Sequence, residues 1–374
     1  MVLLKSSKAS FKRLKEGRVN RPFLYAILLC LPAAGYAQSD TQLTFSFESF
    51  NYSDSTSLHS ILGHWSDEVG GGSKALSVSR IMLGFEYNNY SLQTVYRDDS
   101  YYNFDNETVH FIYLTENKLP LVNGQEYDLY IKPDKSSSEG LRFGTNQQIT
   151  PKLKLHGFFS LLKATNLTHG NLNGHAMAVG SNDYDFNFAS DLYYEDDPLF
   201  DRVTDRLSGK GYSIDLMLDY EINDKWSINL ELLDVVGELL IDQAAFTRAE
   251  ATSDIKVFDE NGYLTYDPVI SGLESNKDFV YQFNMQTHFS VNYKISDKNS
   301  LVLEYHRLLD FDYQNLILSQ QLGLNQLSWI LIPELETVGI EFKHPSFSIG
   351  LETDNLDYKK MKYFSLNTQL FWAF

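Results

Sequence analysis

The final eleven residues limit the fold more than any other segment. From Phe364 to Phe374 the chain alternates: Phe364, Leu366, Leu370, Trp372 and Phe374 fall on one face, with Ser365, Asn367 and Gln369 opposite. A period of two identifies a β-strand with unlike faces. A water-soluble fold gains little from ending on Phe-Trp-Ala-Phe. A strand that closes a barrel in lipid needs one apolar face and an aromatic residue at the membrane boundary.

The same period recurs upstream. Between Phe279 and Ile295, Phe279, Tyr281, Phe283, Met285, Phe289, Val291, Tyr293 and Ile295 fall on one face, broken only by Thr287. Gln282, Asn284, Gln286, His288, Ser290, Asn292 and Lys294 lie opposite, an amide-rich face suited to a wet lumen. Over 211–222, Tyr212, Ile214, Leu216, Leu218, Tyr220 and Ile222 point outward, and Ser213, Asp215, Asp219 and Glu221 inward. Asn223-Asp224-Lys225 then turns the chain, and Trp226, Ile228, Leu230 and Leu232 resume the apolar face.

Extended along the chain, this reading places strands near 42–52, 74–87, 90–97, 107–115, 125–132, 139–146, 152–163, 211–222, 226–236, 279–295, 300–312, 334–343, 346–354 and 362–374. Short connections alternate with longer ones, among them 53–73, 164–210, 237–278 and 313–333, and the long ones share one side. Short periplasmic turns, long external loops and an even strand count are the rules of membrane barrels. The expected fold is therefore all-β, a transmembrane antiparallel up-and-down β-barrel of about fourteen strands. Losing a hairpin between 90 and 146 would give twelve, and a strand pair in 183–195 sixteen.

Strand pattern and aromatic end together resemble Gram-negative outer-membrane β-barrels. That resemblance implies that Leu370, Trp372 and Phe374 are read by the barrel-assembly machinery and that the wall meets outer-membrane lipids and lipopolysaccharide. It specifies an architecture rather than one family. Fourteen strands look like monomeric general pores or the long-chain fatty-acid channels; the latter carry an N-terminal plug, and here the first strand begins within a few residues of Gln38.

The N-terminus fits export. Residues 1–21 hold Lys5, Lys8, Lys12, Arg13, Lys15, Arg18 and Arg21 against Glu16 alone, followed by apolar 23–31 and Pro32-Ala33-Ala34-Gly35-Tyr36-Ala37. A basic region, a short apolar run and small residues define a secretory signal over 1–37, leaving 38–374 as the barrel. The run is too short to span as a helix. The single cysteine, Cys30, lies within it, so the barrel has no disulfide or thiolate chemistry.

Residues 1–37 also carry seven of the 31 basic residues and one of the 49 acidic ones, so the remaining 337 have a formal charge of −24. Such acidity excludes nucleic acid, whose phosphates need Lys and Arg. The inward strand positions collect Glu48, Glu126, Asp128, Asp215, Asp219, Glu221, Glu231, Glu304 and Asp310. Gln282, Asn284, His288 and His306 share that face, and Lys132, Lys152, Lys154 and Lys294 are its basic members. A lumen lined by one sign of charge favours the opposite ion, because its low-dielectric wall focuses the field. The leading expectation is a passive channel for small hydrophilic or cationic solutes. The alternative is a filled, non-conducting barrel whose acidic loops serve adhesion, the envelope or a surface partner.

Chemistry is sparse. A hydrolase would need a serine tied to His306, and lumen polarity explains that histidine more simply, so no enzyme is expected. The run Glu195, Asp196, Asp197 and Asp201 offers hard oxygens suited to calcium, but no glycine supports a tight calcium loop, and Arg202 and Arg206 can neutralise the charge. The nine histidines lack zinc-ligand spacing, and neither metal nor cofactor is expected.

Overall fold

A computed structural model describes residues 41–61, 69–197, 202–253, 256–258, 264–266 and 269–373. Its elements are β1 (Thr41–Ser53), β2 (Lys74–Tyr87), β3 (Tyr90–Phe104), helix α1 (Asn106–Glu116), β4 (Glu126–Thr150), β5 (Leu153–Ala178), β6 (Tyr184–Tyr194), β7 (Ser208–Glu221) and β8 (Trp226–Thr252). There follow a short pair, β9 (Lys256–Phe258) and β10 (Leu264–Tyr266), then β11 (Val269–Gln282), β12 (Gln286–Lys294), β13 (Asn299–Leu308), β14 (Phe311–Leu322), β15 (Asn325–Ile332), β16 (Thr337–His344), β17 (Phe347–Thr353) and β18 (Tyr363–Ala373).

Fourteen strands close a ring in the order β1–β2–β3–β4–β5–β7–β8–β12–β13–β14–β15–β16–β17–β18, antiparallel throughout. The seam is β1 against β18, from Gln42↔Ala373 to Tyr52↔Tyr363. Closure leaves no unpaired edge, which allows a sheet to stand in lipid. Alternation fixes the register: Phe85, Leu161, Leu216, Leu303, Trp329 and Trp372 are exposed on the outer face. Slipping any strand by one residue would turn this apolar set into the lumen.

Two strands stand off the ring. β6 takes the place of β7 beyond its end, pairing with β5 on one side and β8 on the other. β11 continues the line of β12 and pairs with β8 from Val269↔Thr252 to Gln282↔Glu238. With the far ends of β4, β5 and β8, they raise a sheet beyond the ring. Helix α1 packs on it through Val109 and Ile112, in one cluster with Ile131, Leu172, Leu192 and Tyr194. This is the α1 face buried at i and i+3, which its strand-like composition hides.

Several expected boundaries change. The segment 107–115 is helix rather than strand. The expected strands 125–132 and 139–146 are one 25-residue strand, β4, running through Pro133-Asp134-Lys135-Ser136-Ser137-Ser138. Pro133 is tolerated because the pairing to β5 skips from Ile131↔Leu172 to Asp134↔His169, so no N–H is required there. The expected loop 313–333 is mostly the hairpin β14–β15. The stretch 183–195 gives one strand, β6, outside the ring. Two strands lost before 150 and two gained after 310 leave the count at fourteen.

Candidate functional site

The lumen is the candidate site, and arginines organise its middle. On the inner faces of β1, β2 and β3, Glu48, Arg80 and Arg97 stand in one row as register partners. Arg97 is buried and pairs with Asp99 on its own strand. Across the lumen its Nη1 lies 2.7 Å from Asp234 Oδ1 and its Nη2 2.8 Å from Asp234 Oδ2. The Ser213 hydroxyl donates to Asp234 Oδ1 (2.7 Å), and the Asp234 N–H donates to Asp215 Oδ1 (2.9 Å). Arg142 from β4 closes the layer with Nη2 2.9 Å from Asp215 Oδ2. Both guanidinium groups sit over aromatic rings, Arg97 4.2 Å from the Phe283 centroid and Arg142 3.6 Å from that of Phe158. Pairing and ring stacking of this kind are how charged side chains survive burial.

Asp234 reaches inward through a bulge. Ile214 faces Val236 while Leu216 faces Leu232, so β8 spends extra residues opposite β7. Asp234 takes φ +55, a left-handed conformation that aspartate tolerates better than most side chains. Beside this layer is a cavity with about 500 Å³ of empty space, part of it open to solvent, lined among others by Glu48, Arg80, Arg142, Asp215, Glu231 and Asp234.

Apolar residues fill the lumen towards the sheet extension. Leu162, Ala164, Leu167, Leu239, Ile241 and Tyr281 form a buried cluster there, with Phe279 and Phe283 against it. On the other wall, aromatic rings stack in sequence. His288 lies on His306 (centroids 4.3 Å, planes 9° apart), and His306 on Tyr313 (4.6 Å, 4°). Tyr313 stacks on Phe50 (5.2 Å), which meets Tyr363 edge-on. Glu304 accepts at Oε2 from His306 Nε2 (3.1 Å) and Asn315 Nδ2 (3.2 Å).

The expected lumen residues divide. Glu48, Asp215, Asp219, Glu231, His288, Glu304 and His306 share the inner face with the arginines. Glu221 is exposed at the end of β7. Five expectations are corrected. Glu126 and Asp128 lie on β4 beyond the last β3 pairing, Phe104↔Ile131, and are exposed outside the ring. Asp310 is exposed in the β13–β14 turn. Gln282 is on the outer face with its partner Glu238, because the irregular segment 283–285 between β11 and β12 flips the alternation. Phe279, Tyr281 and Phe283 therefore turn inward, and Asn284 sits exposed in the irregular segment itself. Arg80, Arg97 and Arg142 are further inward residues, which strand parity on β2, β3 and β4 places there.

Outside the lumen, Asp197 Oδ2 accepts from the Tyr194 hydroxyl (3.2 Å) and the Arg202 N–H (3.3 Å), and the Glu195 carbonyl accepts from Thr204. These contacts bind the acidic loop to its own neighbours; Asp201 lies outside the described residues, as do 1–37 and Phe374. Leu370 and Trp372 stand on the outer face at the seam, opposite Phe45 and Leu43.

Fold and lumen define a fourteen-stranded β-barrel of the outer-membrane kind with charged pairs across its midsection. No family model and no curated protein sequence matches the chain. Among solved structures, the P. putida toluene transporter TodX aligns over 90% of this chain and 89% of its own, at 9% identity and TM-score 0.39. A Pseudomonas aeruginosa FadL homologue aligns over 88% of each chain at 11% identity and TM-score 0.29. The translocator domain of autotransporter NalP from Neisseria meningitidis covers 99% of this chain and 98% of its own, at 11% identity and TM-score 0.31. The likeness is one of architecture.

Proposed function

We propose that the protein is a gated outer-membrane channel for small polar solutes, closed at its arginine layer. Residues 1–37 act as the export signal and 38–374 as the barrel, inserted by the barrel-assembly machinery among outer-membrane lipids and lipopolysaccharide. The observation that carries this reading is Arg97 spanning the lumen to Asp234, with Arg142 on Asp215 beside it. A general diffusion pore keeps its charges on the walls with water between them, whereas here side chains from strands that are not neighbours in the ring meet inside the lumen. A solute passes only when these pairs part. Around the cavity, Glu48, Asp215, Glu231 and Asp234 outnumber Arg80, Arg97 and Arg142. The net field therefore favours cations.

Planar-bilayer conductance under a salt gradient tests it. The wild type should conduct rarely and in small steps. Arg97→Ser with Arg142→Ser should open stable steps with a cation-selective reversal potential. Large continuous wild-type conductance would overturn the closure, and a folded but silent double variant would overturn the passage. A second reading, a non-conducting barrel that presents a docking sheet, draws on the extension built by β4, β5, β6, β8 and β11. Replacing residues 254–268, between β8 and β11, by a short linker separates the two, because loss of a surface partner with conductance unchanged belongs only to the second.

A further inference from the structure

We infer that His288, His306 and Glu304 form a binding site for one divalent d-block cation, of the zinc, copper(II) or nickel class. The inference does not depend on whether the barrel conducts. The three residues each offer a ligand atom, and these atoms lie within 4.8 Å of one another. Strand pairing brings them together: His288 on β12 is the register partner of His306 on β13, and Glu304 lies two residues back on the same inner face. No spacing in the sequence announces this set, because it is read across strands.

The chemistry selects the ion class. Two imidazoles and one carboxylate form a donor set found on zinc with a position left open, and imidazole suits copper and nickel as well. Calcium and magnesium prefer sites built from oxygen alone.

The surroundings supply independent support. His288 Nε2 has no hydrogen-bond partner, with Glu304 Oε1 standing at 3.5 Å. Asn315 is 4% exposed, its Nδ2 held by Glu304 Oε2 and 3.2 Å from His306 Nε2, while its Oδ1 has no partner. An amide placed against both a ligand carboxylate and a ligand imidazole is the outer-shell contact that orients such groups. On the far side of His288, Glu231 Oε2 stands 3.7 Å from Nδ1, beyond hydrogen-bond distance but within ion-pair range. The His288 and Glu231 side chains remain about one-third exposed, which leaves a way in from the lumen.

The rings now lie parallel, so their lone pairs run side by side rather than converge. Binding one ion therefore requires both imidazoles to turn out of this stack and bring a nitrogen of each towards Glu304. The competing account, a polar brace in which Glu304 links two stacked imidazoles on Tyr313, requires no ion.

Refolded, tag-free barrel, shown to be folded by heat-modifiable mobility, is titrated with Zn²⁺ against a chromogenic chelator and with Cu²⁺ under electron paramagnetic resonance. One equivalent should bind per barrel, and the copper spectrum should show nitrogen coupling. His288→Gln and His306→Gln should each weaken Zn²⁺ binding at least about tenfold, and the double variant should abolish the nitrogen coupling. Glu304→Gln should weaken binding with the coupling retained. Folded wild-type protein that binds no equivalent overturns the proposal without recourse to any variant. Binding that survives the double histidine variant unchanged also overturns it.

Discussion

Arg97 and Asp234 are 137 residues apart in the chain and meet across the lumen through two hydrogen bonds of 2.7 and 2.8 Å. Both side chains are almost wholly buried, at 8% and 1% exposure. Truncating one partner of such a pair leaves the other charge desolvated. Arg97→Ala should therefore cost about 3–5 kcal/mol, and Arg97→Lys less, because it keeps the charge but loses the fork that addresses two carboxylates. Urea midpoints read from the heat-modifiable band check this. An Arg97→Ala midpoint equal to wild type would show that the bridge adds nothing to stability.

The bulge at Asp234 makes a separate prediction. At φ +55 most side chains crowd the backbone, and Asn and Asp are the usual exceptions after glycine. Asp234→Asn keeps that tolerance and an oxygen for Arg97 and Ser213, whereas Asp234→Ala loses both. Asn should be the milder change by about 1–2 kcal/mol, measured by the same unfolding assay. If the two variants unfold together, the left-handed backbone is no constraint at this position.

The sequence reveals strands wherever one face meets lipid and the other meets polar groups. On β7, Ile214, Leu216 and Leu218 alternate with Ser213, Asp215 and Asp219, and the strand is legible to within three residues at its start. It conceals strands whose lumen face is also apolar. β14 and β15 turn Tyr313, Ile317, Ile330 and Ile332 inward while Leu316, Leu318, Trp329 and Leu331 face out, so no alternation remains to read. Segment 279–295 fails for another reason. Its alternation is real but changes face at 283–285, and only pairing with β8 shows it. The His288–His306–Glu304 set was hidden because cross-strand neighbours depend on register, which the sequence of either strand alone does not fix.

Outer-face exposure leads to a depth-dependent prediction. Leu303 is midway along β13, 52% exposed, with Leu316 and Val291 as its register partners. Leu303→Arg places a charge in hydrocarbon and should cost about 2–4 kcal/mol. Arginine in place of Leu322, which is 48% exposed at the end of β14, should cost about 0–1 kcal/mol. Folding titrations in lipid vesicles measure both. Equal costs would mean that this face does not sit across the bilayer as the exposed apolar band implies.

A pH effect belongs to the rim, where β7 begins and the ring passes into the sheet extension. Asp278 there is exposed and outside the hydrocarbon span. Its Oδ1 accepts from the Gln243 backbone N–H (3.0 Å) and side-chain amide (2.9 Å), which hold the carboxyl below its ordinary value of 3.8. A lowered carboxyl pKa adds stability above the unfolded value and loses it as pH falls through the folded one. The β8–β11 junction should therefore be intact at neutral pH and loosen only below the usual aspartate range. Hydrogen exchange at the Gln243 amide should show reduced protection at about pH 2 relative to about pH 5, after correction for intrinsic rates. Asp278→Asn should remove that difference while leaving the lumen unaffected. If protection at Gln243 stays flat across this window in the wild type, the Asp278 contact does not hold the rim.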